Sequence, residues 1–598
     1  MSDAECLQVI RRIKEGDSAS TILRRMKEGD LRLQHSLVPE TRRYYQFPYL
    51  LKISNFLRTA DNPYLAPLVR AVDSKASLSP EDRPLLESGH ETRAYEYLYS
   101  TPYRAAEVVD PHLAKASTQK WTTVIDDDRL LAQLLNVFFL HHFPIFPCLH
   151  KESFLKDMAA NRSRFCSPLL VNTVLAAACH AHEGIPDRAK FWSPQNLAYR
   201  FSAEAKRLWE SQDGRVDLPT IQAAILLNVI SNSDSMDRVG RAYMTQAVGM
   251  AHDMQLFKAP SPEESKELQR VRTFTAWCLF AWDSLQSFYF FRQPFFPHPP
   301  EFPLPDPQAD GSWYSEIRIQ YPLNSEPVPV GFGAVFKATL EFRSIVHDIS
   351  ARFFTSPTTN THLQDSDNIA DISEFCSRLQ NWFNGLPAPL TEKNITFPSH
   401  IRLHLEYHTT LITLLKSAKG QAPLRVTMYD SMYHSPEKLI SQAYIRIETL
   451  VRLYYTRHSL EAYDSFMMYY LVFLGNHVID SLEQGCPPHY IDAYRSTLIL
   501  CARSLYDQGL HIYLTQLVYS VLRNRMPKRE RDLLLTYIKD GPAEDQQLIL
   551  QHTRSQFPLP IIKINEDPST AYISQLVEEY EGLSMHTTSE SGEDNNSS

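Results

Sequence analysis

The spacing of apolar side chains constrains this chain more than any other feature, because it keeps the helical repeat over hundreds of residues. Leu130, Leu134, Val137 and Phe138 recur three and four apart, as do Leu169, Leu170, Val174 and Ala177. Ile221, Ile225 and Leu226 continue the rhythm, followed by Val239, Tyr243, Val248, Met250 and Met254, and 271–291 reads as an aromatic-rich helix. Such spacing gathers each set on one helical face. Almost no stretch alternates apolar and polar residues at a period of two, so there is no case for a sizeable sheet. Glycine is scarce, 18 among 598 residues, and the 39 prolines are clustered, which leaves long stretches free of helix breakers. The expected fold class is all-α, a multi-helix body with a short N-terminal helical hairpin and a disordered C-terminal tail.

Start signals mark several of these helices. Asp126, Asp127 and Asp128 put negative charge where a helix dipole favours it. Ser167-Pro168 and Asp217-Leu218-Pro219 each pair a capping side chain with a proline suited to a first turn.

A chain of this length exceeds one compact core and suggests two to four domains. Residues 1–34 contain a short repeat, Arg11-Arg12-Ile13-Lys14-Glu15-Gly16-Asp17 returning as Arg24-Arg25-Met26-Lys27-Glu28-Gly29-Asp30, and read as the helical hairpin. Residues 35–128 read as a connecting region, with a short apolar helix near 47–58 and then prolines and tyrosines through Pro102 and Pro111. A long-helix region occupies 129–307 and ends in seven prolines between Pro294 and Pro307. That strip reads either as a polyproline ligand or, in preference, as a rigid connector laid across the body. Residues 308–583 form a C-terminal helical region, with helices from Gly333 and around 370–385, 398–418, 434–457, 464–483, 488–507 and 511–525, and a Ser/Thr/Asn-rich loop at 355–368. The tail, 584–598, is polar, acidic and disordered by composition.

Several function classes fall away. The first residues lack the basic and apolar segments of a secretory signal. The most apolar run, 466–475, is half the ~20 residues needed to cross a bilayer. A soluble chain, neither secreted nor membrane-spanning, is expected. The eight cysteines show no C-x-x-C and come no closer than thirteen apart, which favours separate reduced thiols over disulfides or a thiolate zinc site. A formal net charge of −9 gives no clustered positive excess for gripping nucleic acid. Even the first 43 residues, with three arginine pairs, hold nine Lys/Arg against seven Asp/Glu.

Candidate chemistry is thin. His141, His142, Cys148 and His150 crowd together, as do Cys179, His180, His182 and Glu183. Their types suit a metal, but His180 and His182 point about 200° apart on a helix, and structural histidines are the preferred reading. No G-x-S-x-G, phosphate-binding glycine loop or H-E-x-x-H is present, so no catalytic residue is assigned. Ile573, Leu576, Val577, Tyr580 and Leu583 share one face of an acidic helix, which either docks on a partner or packs on its own domain. Trp277, Phe280 and Trp282 either line a pocket or fill core, core being the stronger expectation.

Ordered blocks across 129–307 then carry a resemblance. Phe138, His142, Phe143, Pro144, Phe146, Pro147, Leu149, His150 and Phe154 open it. Ser167-Pro168-Leu169-Leu170 with Ala176-Ala177-Ala178 forms the second block, and Thr220-Ile221-Gln222-Ala223 with Leu226-Leu227 the third. Gly240-Arg241-Ala242-Tyr243-Met244 leads into Ala247, Met250, Ala251, Asp253 and Leu256. Arg270, Arg272, Phe274, Trp277, Phe280 and Asp283 follow, and a turn at Arg292-Gln293-Pro294 stands where Gly-Arg-Pro is usual, with Phe291 before it. In order and spacing these resemble the fungal-specific transcription factor regulatory (middle homology) domain, usually attached to a six-cysteine binuclear zinc cluster, for which these eight cysteines supply no counterpart.

The resemblance implies a nuclear regulator of RNA polymerase II genes, metabolic or secondary-metabolite, that is not an enzyme and shuttles at most with the cytoplasm. Its helical body would respond to a small-molecule effector or to protein partners, one of them a DNA-binding transcription factor, with DNA reached indirectly and no membrane role. A co-regulator or scaffold heterodimerising with a zinc-cluster protein is the alternative, and a metal-dependent helical enzyme a third. No cofactor is expected in this chain, zinc entering only if an upstream cluster has been lost from the sequence. The residues carrying the resemblance, Phe146, Pro147, His150, Phe154, Gln222, Gly240, Tyr243, Trp277, Asp283, Arg292 and Pro294, are expected to be structural.

Overall fold

The computed structural model describes residues 55–58, 61–73 and 102–578, the last span interrupted at 213, 323–325, 355–364, 418–425, 429–431, 536–537, 539–551, 561–563 and 565. The hairpin at 1–34, most of the helix read near 47–58, most of the 355–368 loop and the tail at 584–598 lie outside the described residues.

The fold is helical, as the periodicity requires. In chain order the helices are α1 (Leu65–Asp73), α2 (Asp128–Val137), α3 (Lys151–Ala159), α4 (Pro168–Ala181), α5 (Leu197–Glu210), α6 (Leu218–Ser233), α7 (Asp237–Asp253), α8 (Lys266–Tyr289) and the single turn α9 (Gly311–Tyr314). They continue as α10 (Phe332–Phe353), α11 (Asp365–Asn384), α12 (Pro398–Ser417), α13 (Pro436–His458), α14 (Met467–Glu483), α15 (Ile491–Gly509), α16 (Tyr513–Arg525) and α17 (Lys528–Leu535). The start signals act as written. Asp127 accepts from the amides of Arg129 and Leu130, Ser167 from Leu170 and Asp217 from Thr220, each satisfying donors that a first turn leaves open.

Two apolar cores divide the body. The first gathers α2–α8, with Phe138, Phe139, Phe154, Leu170 and Phe274 among its buried residues. At its centre α4 is buried from Leu169 to Ala181, and the run Ala176-Ala177-Ala178 lets α5 and α6 pack against it closely. The second core gathers α10–α16 and takes in Tyr64, Leu68 and Val72 from the start of the chain. Helices α8 and α10 belong to both: Phe274 and Phe280 of α8 enter the first, Leu285 and Phe288 the second. The two cores are therefore parts of one continuous body.

The described residues of the region read as connecting are tied into this body. Just before α1, the Tyr64 hydroxyl lies 2.7 Å from His404 Nδ1 and 3.0 Å from His408 Nε2, and Trp121 is buried in the first core. Sheet is confined, among the described residues, to short strands. The first sheet has the antiparallel order β1 (Glu107–Val108), β2 (Arg318–Gln320), β3 (Val328–Pro329), with Val108 opposite Ile319 and Ile319 opposite Val328. A separate ribbon pairs β4 (Val426–Met428) with β5 (Met432–His434).

The proline strip runs as irregular backbone across the body. Its amides at Phe295 and Phe296 donate to Asp283 Oδ2 at 2.9 and 3.2 Å, and the Phe296 carbonyl accepts from His347 Nε2 at 2.7 Å. Pinned from below in this way, it is the rigid connector rather than a free ligand. The acidic helix is likewise settled for its described part, 573–578. Ile573 and Val577 are buried in the second core, so this face packs on its own chain.

Candidate functional site

Elements distant in sequence meet where the N-terminal half reaches into the second core. Helix α2 runs into a π-turn, Phe138–His142, whose Phe143 amide reaches back to the Phe138 carbonyl. Pro144 and Pro147 then direct the chain so that Phe146 packs 4.9 Å from Trp282 of α8 and 5.2 Å from Phe466 at the head of α14. Tyr289 packs 4.4 Å from Tyr469, and Phe290 5.5 Å from Phe557. These aromatic pairs fasten the seam by apolar burial with edge-on ring contacts.

Hydrogen bonds reinforce it. His180, in α4, faces the His511 carbonyl through Nδ1 at 3.0 Å, and His511 Nδ1 faces the His180 carbonyl at 2.8 Å. His511 Nε2 also lies 2.8 Å from the Glu461 carbonyl. Two carbonyl acceptors favour a charged ring, yet burial wins and pushes the His511 pKa down to about 4. As a neutral ring it donates to one carbonyl at a time.

A cavity of about 100 Å³ opens within the seam. Its walls come from Phe146, from Val229 of α6, from Trp282, Leu285 and Tyr289 of α8, from Phe466, Met468 and Tyr469, and from Leu514 and Thr515 of α16, with Ser555 and Phe557 closing one side. The closing segment is held by its backbone, since the Gln556 amide donates to Asp237 and the Arg554 amide to Ser235 Oγ. Asn232, Gln286 and Phe290 are shared with a smaller polar chamber lined also by Asn228, Asp237, Arg241, Asp283 and Arg292. There Asn228 Oδ1 accepts from Trp282 Nε1 at 2.7 Å, from Gln286 Nε2 and from Asn232 Nδ2. Burial raises the Asp283 pKa to about 6, against the opposing pull of its two amide donors.

The two His/Cys groups do not assemble. His141 stands edge-on to Tyr103, His142 lies 4.5 Å from Tyr463, Cys148 is buried in the first core, and His150 caps α3. Among the described residues no set of three or more His, Cys, Asp or Glu is placed to hold a metal ion. The described cysteines do not fit a zinc cluster: all but the half-buried Cys486 are separate core thiols, and burial raises that of Cys376 to about 12.

The family model of the fungal specific transcription factor domain matches residues 135–384. Residues 135–384 thus belong to the fungal specific transcription factor domain family. This is a family of transcription regulators and not of enzymes. Among its relatives, the nitrogen assimilation transcription factor nirA of Emericella nidulans is 30% identical over 57% of this chain and 39% of its own length. The notoamide biosynthesis transcriptional activator notL' of Aspergillus versicolor is 26% identical over 68% of this chain and 61% of its own, and the nitrogen assimilation transcription factor nit-4 of Neurospora crassa 26% over 59% and 33%. The chain thus spans between a third and under two thirds of these relatives. No solved structure matches.

Within the fungal transcription factor domain, the residues that carried the resemblance fall into two sets. Phe146, with Pro147 behind it, lines the cavity, while Asp283 and Arg292 line the polar chamber and Pro294 starts the strip pinned there. Gly240 lies at the same place: a Cβ there would stand 2.8 Å from Asn232 Oδ1 and 3.1 Å from Asn228 Nδ2. The rest serve the first core. His150 Nδ1 accepts from the Ser153 amide and its Nε2 reaches the Ser312 carbonyl at 3.0 Å, with burial lowering its pKa to about 4. Phe154 and Trp277 are buried there, Gln222 donates to Thr275, and Tyr243 stands edge-on to Trp209. Of the three aromatics weighed for a pocket, Trp282 lines the cavity while Trp277 and Phe280 are core. Sequence reasoning missed Asn228, Asn232 and Gln286, although two asparagines four apart on the buried face of α6 were a readable signal. Thr515 had none.

Proposed function

We propose that this chain regulates transcription of RNA polymerase II genes in the nucleus, as a helical body whose seam responds to a small molecule or a protein partner. One observation carries the reading: the family-motif residues Phe146, Gly240, Asp283 and Arg292 converge on a cavity and chamber between parts of the body far apart in sequence. Binding there alters how the halves sit together only to the extent that the ligand favours one arrangement, which is the physical content of an effector switch. The names of the relatives, nitrogen assimilation and notoamide biosynthesis, favour metabolic or secondary-metabolite target genes. No cofactor takes part, and DNA is contacted through a DNA-binding partner, in keeping with the net charge of −9.

Tethering tests this directly. The full chain fused to an unrelated DNA-binding module, in a fungal nucleus, changes output from a reporter bearing that module's site relative to the module alone. Unchanged output at equal abundance refutes the reading. Random-sequence DNA fragments are not retained by the purified chain across a salt series; selective retention with a steep salt dependence contradicts the indirect role.

A further inference from the structure

Two hydroxyls on the wall of the seam cavity, those of Ser465 and Thr515, are left unanswered by their surroundings, and of the two residues only Thr515 is fully buried. The Thr515 Oγ1 has no hydrogen-bond partner among the described residues. Helical threonines elsewhere avoid this by donating to the carbonyl four residues back, as Thr275, Thr409, Thr413 and Thr456 do. Thr515 lies in the first turn of α16, so His511, four residues back, stands outside the helix, and its carbonyl accepts from His180 Nδ1 at 3.0 Å instead. The seam lock thus coincides with a free hydroxyl at the cavity wall, and buried hydroxyls without partners are costly to retain.

The remaining wall defines what fits. None of its described lining residues is charged, and aromatic rings, Val229, Leu285, Leu514 and the pliable Met468 supply most of it. The two guanidiniums nearby, Arg241 and Arg292, line the adjoining chamber, beyond the shared wall of Asn232, Gln286 and Phe290. An ion moved into such a place would lose its hydration without gaining a partner. In size, the cavity of about 100 Å³ is near the about 150 Å³ apolar cavity that accepts benzene.

We infer that the seam cavity binds a small, uncharged, aromatic molecule of ring dimensions with one hydrogen-bonding group, received by the Thr515 hydroxyl. Its role as an effector site rests on the transcriptional reading above, whereas the binding does not. Inorganic anions such as nitrate are excluded from it, although two relatives are named for nitrogen assimilation.

The test uses the full chain and two probes, indole and toluene, followed by equilibrium dialysis and thermal unfolding. Indole binds saturably at one site and raises Tm; potassium nitrate at the same ionic strength as a chloride control does neither. Val229→Phe, which fills the cavity, abolishes uptake of both probes. Thr515→Val weakens indole about tenfold, the loss expected for one buried hydrogen bond, and leaves toluene unchanged. Absence of saturable uptake, displacement of indole by nitrate, or uptake surviving Val229→Phe overturns the inference. Should Val229→Phe fail to fold, Thr515→Val decides, and an equal effect on both probes overturns it. A negative result here leaves the transcriptional reading standing, since the tethered reporter judges that separately.

Discussion

Phe291 occupies the position where the family turn usually has glycine, and its backbone shows why glycine is usual. Its φ is +53°, in the left-handed region where a Cβ is penalised. The conformation closes α8, with the Arg292 amide returning to the Ser287 carbonyl at 2.8 Å, and the ring lies 5.2 Å from Phe354. Strain and ring burial oppose each other at one residue. Phe291→Ala keeps the strain and loses the ring, whereas Phe291→Gly loses the ring and relieves the strain. The glycine variant is therefore expected to be the more stable by about 1 kcal/mol, read by chemical denaturation. An alanine variant as stable as the glycine one would show that the turn carries no such strain. The motif was legible as a departure in the sequence; that the departure is tolerated through packing on Phe354 was not, because the partner lies sixty-odd residues away, just past the end of α10.

At the scale of elements, the local signals were the readable ones. Ser167, Asp217 and Asp127 cap the helices that their sequence context announced, since a cap needs only the next three residues. Packing between helices needs distant partners, and there the sequence was silent. Helices α6 and α7 approach closely because Gly240 leaves room for Asn228 and Asn232. Gly240→Ala is expected to cost about 1–3 kcal/mol, partly recovered by adding Asn232→Ala, a non-additivity that a double-mutant cycle measures. Additive effects would mean that the two side chains do not meet. Between α13 and α15, Arg452 Nε lies 3.1 Å from Glu448 Oε1, while Thr497 Oγ1 accepts from Arg452 at 2.7 Å and lies 2.6 Å from the same carboxylate. All three are buried. Arg452→Met alone leaves the buried carboxylate without its guanidinium and is expected to cost about 3–5 kcal/mol, whereas Arg452→Met with Glu448→Leu recovers most of that loss. Equal losses in the single and double variants would contradict the pairing.

Across the whole molecule, buried histidines dominate the response to acid. Burial lowers the pKa of His141, His142, His150, His180, His182, His400, His404, His408, His477 and His511, to about 4 at His141, His150, His404 and His511. The unfolded chain takes these protons near the ordinary value of 6.5 and the folded chain only well below it. Their contribution to stability is therefore complete above pH 6.5 and declines as pH falls toward 4. Five buried carboxyls, Asp234, Asp237, Asp283, Glu448 and Asp507, and the more exposed Glu341 shift up and act in the opposite sense, as does the raised His347, but the lowered histidines outnumber them. Tm is expected to be lower at pH 5 than at pH 7.5; an unchanged or higher value at pH 5 would contradict this. The sequence displayed the histidines but not their burial, which depends on contacts such as His180 with His511, 331 residues apart.

The regulatory role assigned to the seam is tested most directly by reporter output from the tethered full chain carrying Val229→Phe, beside the unaltered chain at matched abundance and with Tm measured for both. A filled cavity is predicted to shift transcription, up or down, in a protein that remains folded. Identical output from the two folded chains would contradict the account, because the cavity would then have no part in what the chain does.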